Sequence, residues 1–98
     1  MIIVDEPLLV TVRGARRRVA LAGSDRGGAE GHAELAGALA DLGLPATRLR
    51  QNEDGLEWAV LFDAEIGRAG LRLGAARVTG REFWRALRGR VGRGGARR

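Results

Sequence analysis

Few side chains in this sequence of 98 residues could perform catalysis. It contains one histidine, His32, one serine, Ser24, and neither cysteine, lysine nor tyrosine. A Ser24–His32 dyad would need an orienting carboxylate and an oxyanion hole, and no motif marks either. One histidine cannot form a His-rich metal site, and Asp63 with Glu65 supplies few of the oxygens that a hard cation requires. We therefore predict that the protein is not an enzyme, with no catalytic residues, cofactor or metal site. An enzyme that uses carboxylates alone is a residual alternative.

The residue types that favour binding lie near the C-terminal end. Thr79 and Glu82 form a capping box, which predicts that a helix begins here and runs to residue 91. Phe83 and Trp84 follow on neighbouring positions, about 100° apart around a helix, so they need not enter the same groove. Burial of both rings is one interpretation; exposure of Trp84 beside arginines, the composition of a protein-interface hot spot, is the other. The interface candidates are Trp84, Arg81, Arg85 and Arg88.

The positive charge is concentrated in the same region. Residues 81–98 contain seven arginines and one glutamate, whereas residues 1–80 contain ten arginines and eleven acidic residues. Residues 81–98 therefore carry a net charge of +6 and residues 1–80 a net charge of −1, which together give the chain's total of +5. An end rich in arginine and glycine can follow a phosphate backbone, and it can equally be a solubilising tail. The nucleic-acid candidates are Arg85, Arg88, Arg90, Arg93, Arg97 and Arg98.

These observations favour a non-catalytic protein-interaction or regulatory module, such as a small adaptor or accessory subunit. The alternative is a nucleic-acid-binding protein that uses the arginine-rich final helix and tail. We expect the partner to be another protein, and the sequence leaves nucleic acid and a homo-oligomer open.

No membrane association is expected. No window approaches the roughly 18 apolar residues of a spanning helix. Asp5, Glu6 and Pro7 interrupt the apolar start, which is atypical of a signal peptide. The absence of cysteine fits a reducing compartment. We expect a soluble, cytoplasmic protein.

A central hairpin is the element that we expect to organise the chain. Apolar residues alternate with other residues over residues 56–66, which is typical of a strand with one buried face. The alternation resumes over residues 71–75, after a glycine-containing turn. The predicted register places apolar side chains opposite each other and an acid opposite a base. Its pairs include Ile66 with Leu71 and Glu65 with Arg72.

The remaining elements complete the predicted fold. Residues 8–21 predict a second hairpin that turns between Gly14 and Ala15 and pairs Leu8 with Leu21. Its tip carries Arg13, Arg16, Arg17 and Arg18. A helix is expected near residues 30–42 because Gly43 and Pro45 provide its end. A strand over residues 47–51 is expected to pair Leu49 with Trp58.

The prediction is a single small α+β domain over residues 1–91, followed by a mobile Gly/Arg-rich tail over residues 92–98. Its order is β-β-α-β-β-β-α, with a mainly antiparallel sheet and two helices packed on one face.

The order helix, three-strand meander, helix over residues 30–91 resembles the double-stranded RNA-binding domain. That family has a lysine-rich start to its second helix, where this chain has only Arg81 and Arg85. The hairpin over residues 8–21 followed by a helix resembles the opening of a β-grasp, ubiquitin-like domain. Neither resemblance carries a specific motif, so the sequence assigns the chain to no family.

Overall fold

The computed structural model describes the backbone of residues 1–96 and, within it, the side chains of residues 1–89. This part of the chain forms six strands and three α-helices. The strands are β1 (Ile2–Val4), β2 (Leu8–Val12), β3 (Ala15–Ser24), β4 (Leu49–Gln51), β5 (Glu57–Phe62) and β6 (Ala76–Arg77). The helices are α1 (Gly28–Asp41), α2 (Ala64–Leu73) and α3 (Gly80–Ala96), and a 3-10 turn (Ala46–Arg48) precedes β4.

The strands form one sheet around β3, in the order β4-β5-β3-β1-β6. β5 pairs with one edge of β3, and β1 and β2 share the other edge, separated by residues 5–7. All these pairs are antiparallel except β1 with β6, which is parallel. The short apolar start of the chain therefore lies inside the sheet, which explains why Ile2, Ile3 and Val4 are buried.

The two faces of the sheet carry separate cores because successive strand residues point to opposite faces. Ile2, Ala20 and Ala59 belong to the larger core, which α1 and α2 cover. Ile3 and the partly buried Leu21 belong to the second core, which α3 covers. Helices therefore pack on both faces of the sheet.

The predicted class, one small α+β fold with a mainly antiparallel sheet, is confirmed. The placement of the helices differs from the prediction, because α1 and α3 lie on opposite faces rather than on one. The sheet has six strands and the fold has a third helix within the described residues. The predicted mobile tail overlaps the end of α3, and Arg97 and Arg98 lie outside the described residues, so its mobility stays a prediction.

The second half of the predicted central hairpin is wrong, because the chain forms α2 there. β5 ends at Phe62, and Asp63 follows with φ 48° and ψ −117°, which turns the chain out of the sheet. Glu65 then folds back and accepts a hydrogen bond from the Phe62 N–H at 2.8 Å. Ile66 and Ala69, three residues apart, both face the larger core, as helical spacing requires.

The predicted partners within that hairpin do not meet. Glu65 pairs with Arg48 at 2.8 Å, not with Arg72. Leu71, predicted opposite Ile66 in the core, is 89% exposed on α2. The resemblance to a double-stranded RNA-binding domain fails for the same reason, since α2 replaces the third strand of its meander.

Two other registers differ from prediction. The first hairpin turns at Arg13-Gly14, both with positive φ, so Leu8 pairs with Val19 rather than with Leu21. Arg50 pairs with Trp58, one residue away from the predicted pairing of Leu49 with Trp58.

Two predicted helix-end signals, each formed by residues close together in the sequence, are confirmed. α1 ends before Gly43, which adopts φ 73°, and the Leu44 N–H donates to the Leu39 carbonyl at 2.8 Å. The capping box of α3 is formed in both directions. The Thr79 N–H donates to Glu82 at 2.8 Å, and the Glu82 N–H donates to the Thr79 hydroxyl at 3.1 Å.

Candidate functional site

An aromatic surface forms where α3 packs on the sheet and Trp84 meets Trp58 of β5. Phe83 and Leu87 anchor α3 to the sheet and are fully buried, at 0% exposure. Trp84 lies beside them and packs edge-on against both Phe83 and Trp58, with 5.2 Å between ring centroids in each pair. Such edge-to-face pairs each contribute roughly 0.5–1.5 kcal/mol beyond simple burial. The two tryptophans remain half-buried, so a fixed aromatic surface faces the solvent.

Three arginines of α3 lie on one side of Trp84. At about 100° per residue, Arg81 and Arg88 lie within about 60° of Trp84 around the helix axis, and Arg85 lies about 100° away. All three are exposed. Phe83 lies on the other side, so Trp84 marks the border between the buried and the basic side of the helix. We call the group Trp58, Trp84, Arg81, Arg85 and Arg88 the Trp–Arg surface.

The guanidinium groups of this surface are available to a partner. Among the residues that the structure describes, none of the three arginines forms an ion pair. Glu82, on the same helix, is engaged by the cap. Hydrogen bonds from the Thr79 backbone and side chain lower the pKa of Glu82, which keeps it ionised at the helix N-terminus. The Trp–Arg surface therefore combines aromatic area with uncommitted positive charge.

The second group of arginines lies on the β2–β3 hairpin, and one of them stabilises the fold. Arg17 packs over the Phe62 ring, 4.5 Å from its centroid, and pairs with Asp63 at 2.7 Å. The Arg17 hydrogen bond, with that of the Arg18 N–H, lowers the pKa of Asp63. Arg13, Arg16 and Arg18 are exposed along the hairpin. Arg17 therefore stabilises the turn before α2, whereas the other three arginines of the hairpin face the solvent.

Arg48 is the most strongly engaged arginine of the described residues. It donates to the Val60 carbonyl at 2.9 Å and to both carboxylate oxygens of Glu65, at 2.8 and 3.1 Å. Burial alone would raise the pKa of Glu65, but the hydrogen bonds from Arg48 and the Phe62 N–H, with the nearby arginine charges, lower it. This pair ties the 3-10 turn, β5 and α2 together.

The only histidine lines a cleft of about 470 Å³ between the start of α1 and the β4–β5 loop. His32 Nδ1 lies 3.0 Å from both carboxylate oxygens of Glu57. Ser24 lines the same cleft, but its hydroxyl donates to Glu34 at 2.5 Å and accepts from the Arg26 N–H at 3.0 Å. Ser24 is therefore hydrogen-bonded to a carboxylate and does not form the dyad considered from the sequence.

The described part of the chain contains no group of side chains arranged to bind a metal ion. No three His, Asp or Glu side chains are grouped there so that they could hold an ion.

The structure places all four predicted interface residues, Trp84, Arg81, Arg85 and Arg88, on the exposed side of α3 or at its border. Among the predicted nucleic-acid residues, the side chains of Arg90, Arg93, Arg97 and Arg98 lie outside the described residues. Trp58 was missed as a surface residue because its alternation pattern placed it in the core. A signal was present in its neighbours, since Ala59 and Leu61 on the opposite face are also apolar, which is typical of a strand covered on both sides.

No family model, curated protein or solved structure matches this chain in the comparisons. No helix within residues 1–96 is both long and apolar enough to cross a lipid bilayer.

Proposed function

We propose that the protein is a non-catalytic protein-interaction module, such as a small adaptor or accessory subunit, and that it binds its partner through the Trp–Arg surface. One observation carries the proposal. The partly buried pair Trp58–Trp84 is held edge-to-face beside three exposed arginines. Tryptophan and arginine are the residue types most enriched among the energetic hot spots of protein interfaces.

The geometry also indicates what the partner offers. Trp84 is fixed by Phe83 and Trp58, so little side-chain freedom is lost when a partner covers it. The arginines favour carboxylates, which a guanidinium can bind through two parallel hydrogen bonds. The complementary partner is a protein surface with an apolar pocket rimmed by aspartate or glutamate. The absence of cysteine supports placing this interaction in the reducing cytoplasm.

The proposal is tested by quantitative affinity capture from the native cell. The affinity-tagged chain would serve as bait, and the yield of captured partner would be compared among the wild type, Trp84→Ala and Arg85→Glu. Leu71→Ala is the matched control, because Leu71 is 89% exposed on α2, which packs against the other face of the sheet. Removing a hot-spot side chain costs 2 kcal/mol or more, so the affinity for the partner should fall by about 30-fold or more with Trp84→Ala, and the captured yield should fall with it.

The same experiment can contradict the proposal. If Trp84→Ala and Arg85→Glu capture the partner as well as Leu71→Ala does, the Trp–Arg surface is not the binding site. Circular dichroism of each variant separates lost binding from lost folding.

Nucleic-acid binding through α3 and the tail is the second candidate. The observation that favours it is the exposure of Arg81, Arg85 and Arg88 without a carboxylate partner among the described residues. An aromatic side chain beside arginines can also stack a base. The small net charge of residues 1–80 counts against it, because a dedicated binder usually spreads positive charge over a face.

A further inference from the structure

Strand β2 leaves one edge of the sheet open. It pairs with β3 and with no other strand of the described chain. β6 covers the neighbouring β1 but ends at Arg77, beside Val4, so it does not reach β2. The strand reads Leu-Leu-Val-Thr-Val without a charge, and Leu8 and Leu9 are 68% and 60% exposed. An uncharged apolar edge strand is a ready template for pairing with another strand.

The backbone shows which groups of this edge are free. The Arg18 N–H donates to Asp63 at 3.1 Å, and the Arg18 carbonyl accepts from the Asp63 N–H at 2.9 Å, so both point away from β2. Leu9 lies directly opposite Arg18. Because bonded and non-bonded pairs alternate in an antiparallel ladder, the N–H and C=O groups of Leu9 and Thr11 point outward.

We propose that β2 pairs antiparallel with β2 of a second copy of this chain, about a two-fold axis through Val10. Leu9 of each copy then lies opposite Thr11 of the other, and the outward groups of these two residues form four intermolecular hydrogen bonds. Leu8 lies opposite Val12 on the face that α3 covers, so apolar side chains meet. This proposal concerns a different surface from the Trp–Arg surface and does not rest on the proposed function.

Charge complementarity favours a second copy as the occupant. In this register Arg13, at the tip of the hairpin, lies opposite Pro7 of the other copy and next to its Glu6. Arg13 and Glu6 are both exposed. The two-fold axis creates this contact twice, and an isologous interface closes the assembly at a dimer.

Neighbouring registers satisfy fewer groups. Moving the axis to Leu9 places Thr11 opposite Pro7, which has no N–H to donate. Moving it to Thr11 places Leu9 opposite Arg13, which belongs to the turn and has φ 51°. Moving the axis by one residue changes the pairing register by two residues. A change of the register by only one residue would place outward-pointing backbone groups opposite inward-pointing ones. The axis through Val10 is therefore the register that the edge fits best.

A cysteine scan tests both the dimer and its axis, because the natural chain has no cysteine. Across a non-hydrogen-bonded pair, the two Val10 Cα atoms would lie about 4.5 Å apart, within the range of a disulfide. The two Thr11 Cα atoms would lie roughly 8 Å apart, given about 4.8 Å between strands and about 3.3 Å per residue. We expect Val10→Cys to oxidise to a covalent dimer, and Thr11→Cys, the matched control, to remain largely monomeric.

The native chain should show the same association without a crosslink. Analytical ultracentrifugation from roughly 1 μM to 1 mM, the affinity range of a small transient interface, should give a mass that rises from one chain to two. Leu9→Pro removes an outward donor that the monomer does not use, as edge strands allow, so it should prevent the rise. Glu6→Arg and Arg13→Asp should each weaken association, and the double variant should restore it.

The contrary results are equally definite. A single-chain mass over the whole range, or equal oxidation of Val10→Cys and Thr11→Cys, would overturn the proposal. A monomer whose β2 amides become protected only on adding an acidic peptide would assign the edge to a different partner. Circular dichroism and the cysteine pair keep the test valid if Leu9→Pro fails to fold.

Discussion

Folding shifts the pKa values of two carboxylates, Asp5 and Glu65, in opposite directions. Burial raises the pKa of Asp5, although its carboxylate accepts the Leu21 N–H at 2.7 Å. The pKa of Glu65 is lowered, as described above, because the bonds and charges of its basic partners outweigh its burial. Relative to the unfolded chain, folding therefore makes Asp5 harder to ionise and Glu65 easier to ionise.

These directions predict opposite responses to amide substitution. For Asp5, the ionised form is disfavoured by folding above its unfolded value of 3.8, so Asp5→Asn should maintain or raise stability at neutral pH. For Glu65, stability is present above the unfolded value of 4.5 and is lost as the pH falls through the lower folded pKa. Glu65→Gln should therefore destabilise the protein at neutral pH by about 1–3 kcal/mol.

Urea unfolding between pH 3 and pH 8 measures both effects. The deficit of Glu65→Gln should shrink as the pH falls below 4.5, and any gain from Asp5→Asn should vanish below 3.8. Asp5→Ala is the control, because it removes the acceptor of the Leu21 N–H and should cost about 1–3 kcal/mol. A Glu65→Gln deficit that stays constant with pH would contradict the assigned role of its ionised form.

At the scale of elements, the docking of α3 depends on a glycine in β3. A Cβ atom added at Gly23 would lie 3.1 Å from the Phe83 ring and 3.2 Å from Leu87. Both side chains are fully buried, so they have little room to move. Alanine would be favoured over glycine in a strand by roughly 0.5–1 kcal/mol if space allowed. Here we expect overpacking to prevail, with a net loss of about 1–3 kcal/mol.

The readout for Gly23→Ala is the position of α3 as well as stability. A helix displaced from the sheet would alter the edge-to-face packing of Trp84 against Trp58, and with it the tryptophan emission and near-ultraviolet circular dichroism. Gly37→Ala is a matched control, since nothing lies within 4 Å of a Cβ added there. Equal stability and unchanged spectra for Gly23→Ala would show that α3 adapts without cost.

The elements also show how far local patterns predict this fold. The end of α1 at Gly43 and the capping box of α3 depend on neighbouring residues, and both are confirmed. α2 was not predicted, because residues 64–66 and 71–73 also fit the two strands of a hairpin, and residues 67–70, which include Gly67 and Gly70, fit its turn. The choice between hairpin and helix is made by the positive φ of Asp63 and by the distant Arg48, which binds Glu65. Alternation cannot reveal either cause.

The candidate site was also predicted only in part, namely where its residues are close together in the sequence. Trp84 and its arginines follow from helical spacing within one segment, so they could be grouped from the sequence. Trp58 joins them only through the packing of α3 on β5, a contact between distant parts of the chain. The placement of α3 on its own face of the sheet, opposite α1, has no local signal.

At the scale of the whole molecule, the uneven charge makes the two functional candidates distinguishable. Residues 81–98 carry a net +6 and the rest of the chain carries −1. The chain's excess positive charge therefore lies at this end. Two full-length variants separate its parts: one neutralises Arg81, Arg85 and Arg88 to glutamine, and the other neutralises Arg90, Arg93, Arg97 and Arg98.

Anisotropy with labelled single- and double-stranded RNA and DNA, over a salt series, measures that attraction. Since we propose a protein partner, we expect no binding at roughly physiological salt, where charges are screened within about 8 Å. At low salt, neutralising either group should remove most of the residual affinity. The contrary outcome is binding that persists at physiological salt. On duplex DNA, log affinity would then fall with log salt by about 0.9 per phosphate contact, and each variant would reduce that slope by the contacts it removes. That result would make α3 and the residues after it a nucleic-acid arm and reverse the order of the two functions.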